Sequence, residues 1–251
     1  MLTAMIHAPF PGNRRAAISL TYDDGLTCHR TVVAPALSAR GLRGTFFCPA
    51  NADDLHAHVG SWRDMVKAGH EIGNHTCFHP CRASDETTWL DKAYDLRLYN
   101  RKRIADEVRL AQRVLNLVDG RDRRAYGATC GHTTIGPADA QESFVDDLRP
   151  FTTHIRADRG GALPLRRAPF VTGSPLADLK TAEQTIAVIE PLLADGGWLL
   201  VEMHGVGKGS HGLFVELDEH TKLLDWIAAR SDRLWSATVS DAAAIMHGLP
   251  E

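Results

Sequence analysis

The sequence predicts a single α/β domain whose parallel sheet curls into a barrel, and three observations carry that prediction. Short apolar or β-branched runs alternate with amphipathic stretches along the whole chain. No Pro-, Gly- or Ser-rich linker interrupts the alternation, so residues 1–251 read as one domain with a core over about 15–245. Seven or eight strand candidates in this length suit a barrel better than an open sheet.

In order, AAISLTY (16–22) predicts the first strand and TVVAPALSAR a helix ending at Gly41. RGTFFCP (43–49), the helical SWRDMVKAG and HEIGNHT (70–76) give the second βα unit and the third strand. A long amphipathic segment, residues 90–118, precedes the strand AYGATC (125–130), and PADAQESFVDDL reads as a helix with Pro137 in its first turn. FTTHIRA (151–157) is strand-like, and the irregular GGALPLRRAPFVTGSP has room for one more short strand. TAEQTIAVIEPLLADGG is a helix with a glycine stop, followed by the buried-type strand WLLVEMH (198–204). ELDEHTKLLDWIAARSD, RLWSATV (233–239) and SDAAAIMHG complete the chain as helix, strand and helix.

Composition bounds the function. A hydrophobic content of 44% and a charged content of 24% are those of a folded domain with a substantial core. The formal charge of −3 argues against nucleic acid or an anionic membrane as a partner, and no apolar run reaches membrane-spanning length. MLTAMIHAPFPGNRR has no basic segment leading into an apolar run, so no signal peptide is read there and the expectation is a cytoplasmic protein. Five cysteines, an odd count, then fit reduced thiols.

In a βα barrel the working residues sit at the C-terminal ends of the strands. Asp23 and Asp24 follow the first strand, His75 and His79 the third, Cys130 the fourth, Asp158 the fifth and His204 the sixth main strand. Adjacent acids at one site repel, unless a cation lets one ligate while the other stays free as a base. GNHTCFHPC (73–81) holds two interleaved pairs of candidate ligands, His75 with His79 and Cys77 with Cys81. All four would form a closed structural zinc site, but that set is cramped within seven positions. Two histidines with a distant carboxylate would leave coordination positions open for chemistry, so the cysteines are read as packing residues.

TYDDG (21–25), HTCFH (75–79) and VEMHG (201–205), in this order on this α/β pattern, resemble the motifs of the polysaccharide deacetylases. Chitin and peptidoglycan deacetylases and some acetylxylan esterases are of this kind. The resemblance implies a distorted (β/α)7 barrel and a metal-dependent hydrolase that removes acetyl groups from N- or O-acetylated carbohydrate. It implies that Asp24, His75 and His79 hold one divalent metal, usually zinc. Asp23 would be the general base toward water, His204 the general acid toward the leaving group, and the turn near Cys130 part of the oxyanion site. Two departures stand out. Gly127, in YGATCG, occupies the position of the family's arginine beside the catalytic base, which leaves Arg156 and Arg166 as candidates to support Asp23. The aspartate–tryptophan motif after the fifth strand is missing, and Asp158 is the candidate to orient His204.

Three other functions use the same residues. A cyclic amide or ureide hydrolase shares the chemistry, a non-haem iron oxygenase shares the two-His-one-carboxylate set, and a carbohydrate-binding protein could keep the fold without catalysis. GVGKGSHG lacks the order of a phosphate-binding P-loop, and its His211 is read as a surface-loop residue, with substrate contact as the alternative. GRDRR (120–124) reads as a solvated loop, Cys28 and Cys48 as buried small hydrophobes, and Trp62 and Trp198 as packing residues. Trp89, in an irregular insertion, is the candidate for a substrate-covering loop.

Overall fold

The first strand, β1 (Ala16–Asp23), is buried along its whole length and divides its side chains between two environments. Ala16, Ile18, Leu20 and Tyr22 join the large apolar cluster packed under the surrounding helices. The alternate phase, Ala17, Ser19, Thr21 and Asp23, faces the inside of a curled sheet, as the period of two in a strand requires. This is a computed structural model, and it describes residues 10–157 and 169–248.

Seven further strands complete the sheet: β2 (Gly44–Cys48), β3 (Glu71–Asn74), β4 (Arg124–Gly127), β5 (Thr152–Arg156), β6 (Val171–Thr172), β7 (Gly197–Met203) and β8 (Leu234–Ser236). All pairings among them are parallel. Strands β1 to β6 lie side by side in chain order, and β7 pairs with the other edge of β1. The short β8 lies beside Ala16–Ile18, on the edge of β1 that β2 occupies further along. A single parallel bridge, Leu176 with Glu202, connects the segment after β6 to β7. The distorted barrel expected from the sequence is borne out as a curled parallel sheet whose two ends approach through this bridge.

Inside the curl, Phe47, Ala125, Trp198 and Leu200 meet Ala17 and the buried residues of the final helix, α-helical from Val239 to His247. Glu71 links them by accepting from Thr45, the Ala125 N–H and the Ser240 N–H. On five of the strands the inward phase ends at the C-terminal rim in Asp23, Phe47, Gly127, Arg156 and Glu202, so strand parity gathers Asp23, Arg156 and Glu202 there.

Three local expectations need correction. The amphipathic stretch 90–118 is not one helix: its helix runs Arg101–Asp119, preceded by the 3₁₀ turns Lys92–Tyr94 and Leu96–Leu98. Asp91, Asp95 and Asn100 each accept a backbone N–H at the start of a piece, and such local caps compete with a continuous helix. PADAQESFVDDL is helical only over Val145–Leu148, because Glu142–Ser143 pairs antiparallel with Thr134–Ile135 across a turn at Pro137. Arg124 is not solvated; it is fully buried and held by the Asp119 carboxylate, Gln112 and the Ile72 and Arg121 carbonyls. Cys28, Cys48, Trp62 and Trp198 are buried as expected.

Candidate active site

Two carboxylates leave the end of β1 in different directions. Asp23 is the last strand residue and points inward at 3% exposure. At Asp24 the backbone turns into the left-handed region (φ 80°), a conformation rare outside glycine and often found at functional turns. Gly25 continues the turn at φ 63°, and a Cβ there would lie 2.5 Å from the Cys48 sulfur, so only glycine fits.

The segment Asn74–His79 is shaped by its own side chains. Asn74 Oδ1 accepts the Thr76 N–H at 2.9 Å, and Thr76 Oγ1 accepts the His79 N–H at 3.0 Å. Glu107 of the long helix accepts the Phe78 N–H at 3.1 Å. Thr76 and His79 both take positive φ, 65° and 53°, which folds the loop back so that both histidines face Asp24. His75 Nδ1 meets the Gly127 carbonyl at 2.8 Å, which places the proton on Nδ1 and aims a bare Nε2 into the site.

Ligand atoms of Asp24, His75 and His79 all lie within 4.8 Å of one another. Asp24 Oδ1 is 3.3 Å from His79 Nε2 and 3.6 Å from His75 Nε2. A tetrahedral ion with bonds of about 2.0–2.1 Å has ligand–ligand edges of about 3.3 Å, so this spacing suits a divalent cation. His75 Nε2 is buried with no hydrogen-bond partner, and burial lowers the pKa of this imidazole to about 4. It is then neutral at pH 7, the form that ligates. The residues present fit the metal that the sequence implied, in an open arrangement rather than a closed four-ligand knot.

Asp23 is anchored from one side. Its Oδ2 accepts from Arg156 Nη2 at 2.5 Å, and Arg156 Nη1 lies 3.0 Å from Glu202. The guanidinium also sits 4.9 Å above the Phe47 ring. Arg156 is thus the supporting arginine, carried on β5 directly beside Gly127 of β4 in the sheet register. Gly127 cannot carry it, since a Cβ there would come 2.7 Å from Cγ of Phe47. Burial raises the Asp23 pKa, but Arg156, His75 and His204 outweigh it and hold the carboxyl at about 2. The other oxygen, Oδ1, is buried with no hydrogen-bond partner.

His204 follows β7 on the same inward phase. Its Nδ1 lies 2.6 Å from Asp178 Oδ2, and its N–H donates to Asp178 Oδ1 at 3.0 Å. Burial lowers the pKa of this imidazole, yet the Asp178 hydrogen bond and the charges of Asp23, Asp178 and Asp24 raise it to about 9. The residue orienting His204 is therefore Asp178, which sequence reasoning missed. It sits in an irregular segment with no strand end to mark it, brought to β7 by the Leu176–Glu202 bridge. Asp158 and Arg166 lie outside the described residues.

The expectation of reduced thiols and of packing roles for both cysteines of GNHTCFHPC is wrong for Cys81, which is disulfide-bonded to Cys130. The bond ties the segment after His79 to the left-handed turn after β4, where Cys130 has φ 51°. Cys77 does pack: it is buried, with its sulfur against the Glu107 carbonyl. Trp89 is 60% exposed with its ring 5.7 Å from that of His79, so the insertion does reach the rim. His211, expected on a surface loop, is half-buried and stacked on His204, with centroids 5.3 Å apart.

A family model described as polysaccharide deacetylase matches residues 12–136. Among solved structures, the chain is similar to peptidoglycan deacetylase PdaC from Bacillus subtilis, at 15% identity over 95% of both chains and a TM-score of 0.55. It is also similar to a family 4 acetyl xylan esterase from Clostridium thermocellum in complex with cobalt, at 19% identity over 93% of both chains and a TM-score of 0.56. A putative polysaccharide deacetylase from Mycobacterium smegmatis is 16% identical over 95% of this chain and 92% of its own, with a TM-score of 0.58. No curated protein matches the sequence.

Proposed function

Because the chain belongs to the polysaccharide deacetylase family, we propose that it hydrolyses acetyl groups from an N- or O-acetylated carbohydrate with a divalent metal, zinc by its donor set, at Asp24, His75 and His79. The observation that carries this reading is the division of labour at Asp23. Oδ2 is fixed by Arg156 and lies 3.7 Å from His75 Nε2, while Oδ1 is buried with no hydrogen-bond partner, and a carboxylate oxygen of Asp23 lies within 4.8 Å of a His204 ring nitrogen.

When bound, the ion supplies Lewis acidity toward water and toward the acyl oxygen. Asp23, ionised above about pH 2, accepts a proton from water as the water oxygen bonds to the acetyl carbon. His204, protonated up to about pH 9, donates its proton to the leaving nitrogen or oxygen as the bond from that atom to the acetyl carbon breaks. Acetic acid, which ionises to acetate in solvent, and the free amine or alcohol result, and the proton taken up by Asp23 passes through solvent to His204, restoring both groups. Asp178 holds the His204 ring in the orientation this needs. The rim position of Trp89 supports a role in stacking on the sugar.

Acetate release from acetylated chitooligosaccharides and xylooligosaccharides, with and without added zinc, tests the proposal. Asp23→Asn is expected to keep the metal and lose a factor of about 10²–10⁴ in rate. Metal loss in that variant would show the two aspartates to be exchanged, and no acetate from any substrate would refute the deacetylase reading. The Cys81–Cys130 disulfide supports an oxidising compartment, and fractionation of the native protein tests it.

A further inference from the structure

We propose that His211 is a positioning residue of the metal site, holding the outer oxygen of Asp24 through Nε2 and the ring of His204 through its own face. The inference rests on the reading of Asp24, His75 and His79 as metal ligands. It starts from GVGKGSHG (205–212), a glycine-rich segment that the proposed reaction does not use.

That segment is a built loop. Gly205–Val206 pairs with Phe214–Val215, and the N–H groups of Gly205 and Gly207 donate to the carbonyls of Leu213 and Val215 at 3.0 and 2.9 Å. Ser210 Oγ donates to the Gly207 carbonyl at 2.6 Å. The loop closes so tightly on its own start that a Cβ at Gly205 would lie 2.3 Å from Ser210 Oγ and 3.0 Å from the His211 Cβ. His211 is thereby fixed above His204, its ring tilted by 8° from parallel.

The Asp24 carboxylate is shared between two sides. Oδ1 faces His75 and His79, while Oδ2 lies 3.6 Å from His211 Nε2. Nδ1 of His211 is 3.1 Å from both the N–H and the carbonyl of Leu213. With the ring proton on Nε2, Nδ1 accepts the Leu213 N–H and the Nε2–H is left on the Asp24 side, 3.6 Å from Oδ2, an electrostatic contact longer than a hydrogen bond. The other tautomer would set a bare nitrogen lone pair against a carboxylate oxygen, a repulsive arrangement. His211 is read as a partner of Asp24 rather than a further ligand, since the ligand atoms that lie within 4.8 Å of one another are those of Asp24, His75 and His79. An N–H beside the second oxygen of a ligating carboxylate favours the orientation in which the first oxygen faces the metal, and loss of such a partner typically weakens metal binding about 10–100-fold.

The test is zinc affinity by chelator competition without substrate, for wild type, H211F, H211Q and D24N, with urea unfolding of each metal-free protein. H211F keeps an aromatic ring over His204 but no N–H, and is expected to bind zinc about 10–100-fold more weakly with its metal-free unfolding midpoint unchanged. H211Q restores an amide N–H at similar reach and is expected to stay within about threefold of wild type. If H211F binds zinc as wild type does while D24N is weakened, or if H211Q is as weak as H211F, the positioning role is overturned and the metal site stands. If D24N also binds as wild type does, the metal-site reading itself fails.

Discussion

Replacing Arg156 with methionine would leave Asp23 and Glu202 buried without the guanidinium that joins them. In the native site Asp23 titrates at about 2, against an ordinary 3.8. Burial opposes this and Arg156 supplies the leading opposing charge, so its loss raises the Asp23 pKa. Breaking a buried ion pair from one side typically costs about 3–5 kcal/mol. The native carboxyl is depressed, so its contribution is present above pH 3.8 and lost as pH falls through about 2. Urea unfolding of the metal-free protein at pH 7 should show R156M destabilised by about 3–5 kcal/mol. The acid limb of kcat/KM for acetate release should move upward by about a unit or more. R156K, which keeps the charge but cannot span both carboxylates, should fall between, and serves if R156M does not fold. Moving the arginine back, as G127R with R156G, should not rescue activity unless Phe47 is also made smaller, because its ring fills the space beside position 127. An unchanged unfolding midpoint together with an unmoved acid limb in R156M would refute the reasoning.

The remaining predictions concern the acid, the disulfide and the buried histidines. Asp178→Asn removes the charge that holds the His204 imidazolium, so the alkaline limb of kcat/KM, set near pH 9, should move down; an alkaline limb that stays in place would mean Asp178 does not act through His204. The Cys81–Cys130 bond spans a sequence separation of 49, for which loop-closure entropy gives about 4 kcal/mol. C81S/C130S should lower the urea midpoint of the metal-free protein, and reduction should not lower it further. His70 and His220 are held near 4 and His154 near 3, by burial first and then by nearby cationic or imidazole groups. Each is depressed below the ordinary 6.5, so the stability of the neutral form is complete above pH 6.5 and falls as pH drops toward 4. Calorimetry in chelator should show unfolding free energy declining through that window, by up to about 1.4 kcal/mol per pH unit for each histidine. A flat profile between pH 7 and 5 would refute it.

Much of this site was legible before any coordinates. Asp23, Asp24, His75, His79 and His204 sit at strand ends, where adjacency in sequence and the rhythm of βα units mark the rim. Arg156 was one of two named candidates, and it shares the inward strand phase that also places Asp23 and His204. Asp178 and His211 lay outside that logic, because each comes from an irregular segment fixed by a bridge or a loop closure rather than by periodicity. The long helix was overextended for a related reason. Hydrophobic period alone does not register that Asp91, Asp95 and Asn100 restart the backbone in short capped pieces.

The sequence by itself indicated the strand phases and the acids and histidines at strand ends, which depend on local spacing, while the reading of Asp24, His75 and His79 as ligands and of Asp23 and His204 as base and acid came from the motif resemblance. Tertiary structure decided everything that joins distant segments: Arg156 beside Gly127 across the sheet, Asp178 beneath His204, the Cys81–Cys130 bond, and His211 over Asp24. Those partners are set by the register of neighbouring strands and by where Phe47 leaves no room for a side chain at position 127. No one-dimensional pattern encodes which neighbour supplies a charge once the usual position is sterically closed.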